Sequence, residues 1–169
     1  MAEKVKYLFI DFDGTVRDTI AAPTQKNPND RRPPITVDEV QITLGIIEKL
    51  QEWRDKGWFI VGVSNQSGVE KGYITAEGVE EVAAATMDKL GLYFPFYYAP
   101  CKKDGTLEQL SLRKPETGMA KEAFEDWGDP DLENSFMVGD YISDEKFAEN
   151  LGIKYIDVWD FVIDDKYKL

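Results

Sequence analysis

Val5-Lys6-Tyr7-Leu8-Phe9-Ile10-Asp11-Phe12-Asp13-Gly14-Thr15 is a β-rich apolar run that stops abruptly in two carboxylates, a glycine and a hydroxyl. The apolar half has the near-continuous hydrophobicity of a strand covered on both faces. In an open α/β sheet the ligand crevice lies beyond the carboxyl ends of the strands, which is where Asp11 and Asp13 fall. Side chains two apart on an extended chain share a side, and Gly14 lets the backbone turn away, so the spacing predicts two acids converging on one small volume. Asp and Gly are also ordinary turn residues. The full Asp-x-Asp-Gly-Thr pattern is rarer, about 10⁻³ by chance over a chain of this size.

At 169 residues the chain fits a single domain, 1–169, large enough to bury a sizeable core. With 43% hydrophobic and 31% charged residues it has a globular composition. Nothing approaches the roughly 20 apolar residues of a membrane span, and the first residues lead into a charged strand rather than a signal-peptide core, so a cytoplasmic protein is expected. One cysteine, Cys101, and no histidine exclude an intrachain disulfide, Cys/His zinc sets and histidine catalysis. The formal charge of −12 argues against extended contact with nucleic acid, where Lys and Arg must neutralise phosphates.

Outward from this stretch, residues 16–35 carry four prolines and read as a loop. A loop of that length beginning at the carboxylates is expected to be a flap over the crevice, with Arg17, Lys26, Arg31 and Arg32 as candidate contacts to an anionic substrate. A solvated hinge with incidental charges is the alternative. Apolar residues at Val37, Val40, Leu44, Ile47 and Leu50, with Thr36 and Glu39 as a capping box, predict one helix over 36–56. Strands are expected at 58–63, 96–99, 135–138 and 153–158, and helices at 75–90, 117–127 and from a Ser143 cap to Asn150. Residues 100–113 read as a second, specificity-bearing loop, and 159–169 as a short peripheral turn or helix. Strands alternating with helices imply right-handed crossovers and a doubly wound α/β domain with a parallel sheet of about five strands. Its strand ends and following loops deliver Asp11, Asp13, Ser64, Asn65, Arg113, Lys114, Asp140 and Asp144 to one edge.

Four carboxylates there would repel strongly, since two unit charges about 4 Å apart cost roughly 4 kcal/mol at an effective dielectric near 20. Oxygen donors without His or Cys suit a hard cation, Mg²⁺, and Lys114 adds a second compensating charge. Such a site with hydroxyl donors is a receptor for a phosphoryl group. A carboxylate can also be the nucleophile; Asp11 is the candidate, and Asp13 the candidate for protonating the leaving oxygen and then activating water.

Asp11-Phe12-Asp13-Gly14-Thr15, Val63-Ser64-Asn65, Lys114, and Gly139-Asp140 with Asp144 resemble the four ordered motifs of the haloacid dehalogenase superfamily of phosphatases, over nearly the whole chain. The resemblance implies Asp11 as nucleophile and metal ligand, Asp13 as acid/base and as metal ligand through its backbone carbonyl, Ser64 as phosphate binder and Lys114 as charge neutraliser. It implies Asp140 as a Mg²⁺ ligand with Asp144 in the outer shell. Thr15, Asn65 and Arg113 join Ser64 as substrate-binding candidates. Ser64 to Val69, Arg113-Lys114-Pro115 and Gly118-Met119 resemble the subgroup of heptose-bisphosphate, histidinol-phosphate and polynucleotide 3′-phosphatases, which have little or no cap domain. The first two usually carry a zinc loop, of which this chain has only Cys101. The expected activity is Mg²⁺-dependent hydrolysis of a small phosphate monoester, a sugar phosphate or nucleotide. A nucleic-acid 3′ end is the alternative substrate, disfavoured by charge. A non-enzymatic phosphoacceptor domain is a further alternative, weakened because receivers place the phosphoacceptor Asp after the third strand.

Overall fold

The computed structural model describes residues 3–163. Its frame is a parallel sheet of β1 (Tyr7–Ile10), β4 (Phe59–Asn65), β5 (Phe96–Ala99), β6 (Phe136–Gly139) and β7 (Lys154–Asp157) in the order β5-β4-β1-β6-β7. The order reverses direction at β1: the chain moves outward through β4 and β5, then returns to place β6 and β7 on the other side. This is the switch point at which an open α/β sheet forms its crevice, and it puts Asp11 at the centre of the sheet's carboxyl edge.

β1 shows how the two faces are made. Tyr7 and Phe9 pack into one cluster with Val61, Val63, Met119, Ala123, Met137 and Phe147. Leu8 and Ile10 pack into the other, with Ile46, Leu50, Trp53, Ala83 and Phe161. All four are 0% exposed, the outcome of two-fold alternation on a strand covered on both sides. Helices α5 (Gly118–Trp127) and α6 (Ile142–Leu151) cover the first face; α1 (Ile46–Asp55), α3 (Ala76–Leu90) and α7 (Val158–Ile163) cover the second. The alternation bears on function, because Asp11 continues the parity of Tyr7 and Phe9. It therefore points toward the side where α5 and α6 begin.

Several expected elements differ. Residues 16–35 are not bare loop: β2 (Ile20–Ala21) and β3 (Arg31–Arg32) pair antiparallel as a small hairpin. The helix expected over 36–56 is split into a 3-10 turn at Val37–Glu39 and α1 from Ile46. Between them the backbone is claimed by the segment after Gly14, with Asp18 N–H donating to Gln41 O and Thr43 N–H to Val16 O. Leu44, counted in the helical stripe, is 92% exposed. A short α2 (Gly68–Lys71) follows β4, and the 100–113 loop contains α4 (Leu107–Leu110), begun by a Thr106–Gln109 capping box. The cap of α6 is Tyr141, not Ser143, which lies in the first turn. Of the expected peripheral tail, α7 is a core element through Phe161, 5.5 Å from the Trp53 ring, and 164–169 lie outside the described residues.

Candidate active site

Four chain segments meet at the carboxyl edge. Asp11 follows β1, Ser64 and Asn65 end β4, Lys114 precedes α5, and Asp140 follows β6 with Asp144 in the first turn of α6. Asp11, Asp13, Asn65, Arg113, Lys114, Asp140 and Asp144 line one cavity of about 230 Å³.

Lys114 is its electrostatic centre. It is 3% exposed, and Nζ donates to Asp11 Oδ1 at 2.8 Å and to Asp144 Oδ1 at 2.7 Å. Its main chain is fixed from β4: Asn65 Nδ2 donates to Lys114 O (3.1 Å) and accepts Lys114 N–H on Oδ1 (2.9 Å). Asp144 is 1% exposed, and Oδ2 accepts the backbone N–H groups of Asp140 and Tyr141, each at 3.2 Å. Asp144 thereby ties the lysine to the start of α6. Two glycines make these approaches possible. A Cβ on Gly14, whose φ is +84°, would lie 2.1 Å from Asp140 Oδ2, and one on Gly139 would lie 2.4 Å from Asp144 Oδ2.

Ligand oxygens of Asp11, Asp140 and Asp144 lie within 4.8 Å of one another. Three carboxylates share one buried ammonium, which leaves a surplus of negative charge. Burial pushes the Asp11 carboxyl well above its ordinary range, with Lys114 opposing and Asp144 and Asp13 adding to the rise. Asp140 is also raised, chiefly by burial. Burial alone would lower Lys114, but Asp11 and Asp144 outweigh it and hold the amine protonated, well above its usual range. The three acids outnumber the one ammonium among them, which leaves charge for a further cation to balance. An all-oxygen donor set in this state fits a hard divalent ion such as Mg²⁺.

Asp13 behaves differently from the sequence expectation of two acids pointing into one cluster. Its Oδ1 accepts Arg17 Nε–H at 2.7 Å and its Oδ2 accepts Gln66 Nε2–H at 2.7 Å. Its side chain takes no part in the group formed by Asp11, Asp140 and Asp144. Arg17, a candidate substrate contact, is instead 1% exposed. Thr15 Oγ1 reaches Asp11 Oδ2 at 3.4 Å, and Ser64 is buried with Oγ accepting from Gln66 at 2.8 Å. Arg113 Nη1 is bound to Cys101 O at 3.0 Å. Gln66 is the residue the candidate set omitted. It stands two after Ser64 on an extended strand end, a spacing that places both on one side.

The match to known proteins follows the same geometry. Residues 6–160 fit the family model described as "Polynucleotide kinase 3 phosphatase". The chain belongs to this family, and it is a phosphatase of the haloacid dehalogenase type. It is 33% identical, over 156 residues, to a Thermoplasma volcanium protein named "Probable D-glycero-D-manno-heptose-1,7-bisphosphate 7-phosphatase", covering 89% of this chain and 97% of that one. A Haemophilus ducreyi D-glycero-beta-D-manno-heptose-1,7-bisphosphate 7-phosphatase is 29% identical over 157 residues, 88% of this chain and 80% of its own. Among solved structures, the D,D-heptose 1,7-bisphosphate phosphatase of B. bronchiseptica, complexed with magnesium and phosphate, shares the fold with a TM-score of 0.71. Its identity is 21%, over 89% of this chain and 79% of that one. As a member of this class the phosphatase is a phosphoric monoester hydrolase. No helix among its described residues is long and apolar enough to cross a membrane.

Proposed function

We propose that this phosphatase is Mg²⁺-dependent and hydrolyses the phosphate monoester of a small cytoplasmic metabolite, a sugar phosphate or a nucleotide, through an aspartyl phosphate on Asp11. The observation that carries the reading is Lys114, buried and bonded to both Asp11 and Asp144, beside a third acid, Asp140. Asp11, Asp140 and the backbone carbonyl of Asp13 would hold Mg²⁺, with Asp144 behind them. When bound, the ion supplies charge neutralisation for the phosphoryl group.

The remaining chemistry belongs to the chain. Lys114 keeps Asp11 available as a carboxylate. An Asp11 oxygen attacks phosphorus while the ester P–O bond breaks, and the leaving oxygen takes a proton from Asp13. Water then attacks the aspartyl phosphate, giving its proton to Asp13, and phosphate departs with Asp11 restored. Ser64, Thr15 and Arg113 supply donors around the phosphoryl oxygens.

A cavity of about 670 Å³ adjoins the site between the β2–β3 hairpin and α2, sharing the walls at Pro33 and Asn65. That size suits the leaving group of a small metabolite, and the hairpin residues in its wall support a flap role for residues 16–35. The names of the curated relatives support a sugar phosphate. The family description favours a nucleic-acid 3′ end as the second reading. Basic residues for such a track are few, and two candidates are engaged internally, Arg17 by Asp13 and Arg32 by Glu39. The test is hydrolysis of a panel containing heptose 1,7-bisphosphate, other sugar phosphates, nucleotides and a 3′-phosphorylated oligonucleotide, with Mg²⁺ or with EDTA. Turnover of a small ester that needs Mg²⁺ and is lost in Asp11→Asn is expected; full activity of Asp11→Asn, or no turnover at all with Mg²⁺, would overturn it.

A further inference from the structure

Asp13 is held by a buried guanidinium that the mechanism above does not use. Arg17 lies among the largest fully buried side chains, and in its ion pair with Asp13 the two side chains are 2% and 13% exposed. Two nitrogens of its fork are tied down. Nε donates to Asp13 Oδ1 (2.7 Å), and Nη1 donates to Thr86 Oγ1 (2.9 Å) and, more weakly, to Val82 O (3.5 Å), both on α3. The Thr86 hydroxyl spends its own proton on Val82 O at 2.7 Å, so it meets Arg17 as an acceptor. The guanidinium carbon lies 5.2 Å from the centroid of the Phe12 ring. The backbone adds closure, with Arg17 N–H bonded to Phe12 O and Gly14 N–H to Arg17 O.

On the other side, Gln66 gives its amide hydrogens to Asp13 Oδ2 (2.7 Å) and Ser64 Oγ (2.8 Å). Gln66 is 4% exposed. Each Asp13 oxygen thus has one fixed donor, and a carboxylate oxygen offers about two acceptor positions, so one on each remains for the cavity. A buried guanidinium is costly unless it is well paired. Here its charge pairs with a carboxylate that lines the catalytic cavity.

We propose that Arg17, braced by Thr86 on α3, is a positioning residue that fixes the Asp13 carboxylate for proton transfer, with Gln66 setting its second oxygen. This rests on the assignment of Asp13 as acid/base. During phosphoryl transfer the proton moves from the protonated Asp13 carboxyl to the leaving oxygen as its bond to phosphorus breaks and the bond to Asp11 forms, and Asp13 is left as the carboxylate that Arg17 pairs with. A phenolate leaves without needing that proton; an alkoxide does not.

The test compares kcat/KM for p-nitrophenyl phosphate and for the alkyl phosphate turned over fastest in the panel, in Arg17→Met, Thr86→Val, Asp13→Asn and the Asp13→Asn/Arg17→Met pair. General acid catalysis contributes about 10²–10⁴-fold, and an ångström of misplacement can cost about 10²-fold. Arg17→Met is expected to lower kcat/KM on the alkyl ester by roughly 30-fold or more and on p-nitrophenyl phosphate by less than about 3-fold, and to add nothing once Asp13 is Asn. Thr86→Val should show the same bias more weakly; it carries the comparison if Arg17→Met does not fold. Equal losses on both esters, or additive losses in the double variant, would overturn the proposal. If Asp13→Asn discriminates between the esters and the Arg17 and Thr86 variants do not, only the positioning role falls. If Asp13→Asn itself shows no bias, the acid/base assignment falls and the proposal with it.

Discussion

Replacing Lys114 by Met removes the ammonium and keeps a similar apolar stem, so it isolates what the charge does. At 2.8 and 2.7 Å from Asp11 and Asp144, each pair has a gross Coulomb attraction of about 6 kcal/mol at an effective dielectric near 20. Most of that attraction is offset by the cost of dehydrating the three groups. The relevant quantity is the penalty for leaving buried carboxylates without their partner, about 3–5 kcal/mol. For a chain of this length 1 kcal/mol moves Tm by about 2–4 °C, so Lys114→Met should melt about 6–20 °C lower at pH 8 without added metal. The pH dependence is the sharper test. Asp11 is already raised by burial, and Lys114 is what pulls it down. Without Lys114 it rises further. A group raised in the folded state binds a proton that the unfolded chain has lost, so stability returns as pH falls through the folded pKa toward the ordinary value of 3.8. The difference from wild type should therefore shrink as the pH is lowered from 8 toward the ordinary carboxylate value in calorimetric scans. A Tm unchanged within about 2 °C at pH 8, or a deficit that stays constant with pH, would refute the picture of Lys114 as the charge on which the cluster depends.

Two other perturbations address the metal site and the flap. Gly14→Ala puts a Cβ where Asp140 Oδ2 now stands, in a backbone conformation costing a further 1–2 kcal/mol or so for an L side chain; titration calorimetry should show Mg²⁺ affinity reduced about tenfold or more, and unaltered affinity would count against Asp140 as a ligand. Glu39 is pushed down to about 2, first by its bond from Arg32 and then by the Ile35 N–H. A depressed carboxylate contributes stability that is complete above its ordinary value of 4.5 and is lost as pH falls through about 2. Glu39→Gln should remove that part of the acid dependence and speed proteolytic cleavage within 20–35; unchanged cleavage would show that the ion pair does not tether the hairpin.

The sheet was legible because burial on both faces leaves a local record: Tyr7 to Ile10 had to be apolar without interruption, and the parity that sends Tyr7 and Phe9 one way and Leu8 and Ile10 the other needs only two-fold alternation. The convergence of Asp11, Lys114 and Asp140 followed from strand ends and the loop that leads into α5. The split of the 36–56 helix was not legible. Val37, Val40 and Leu44 satisfy helical spacing, yet Gln41 O is bonded to Asp18 N–H and Thr43 N–H to Val16 O, a competition between segments that spacing does not record. Arg17 was misassigned for a related reason. A charged residue in a proline-rich stretch carries no local sign that a helix some 70 positions later will bury it.

For this phosphatase, then, the amino-acid order by itself determined the parallel sheet, the family motifs and the chemical kind of the site, since each depends on periodicities and residue types within one segment. Tertiary structure decided which oxygen each acid offers and to whom. Asp11 shares Lys114 with Asp144, whereas Asp13, two residues on, is turned to Arg17 and Gln66. The sequence separations of these partners reach 103 residues, and side-chain orientation at a site is set by whichever donor the packed fold brings within 3 Å or so.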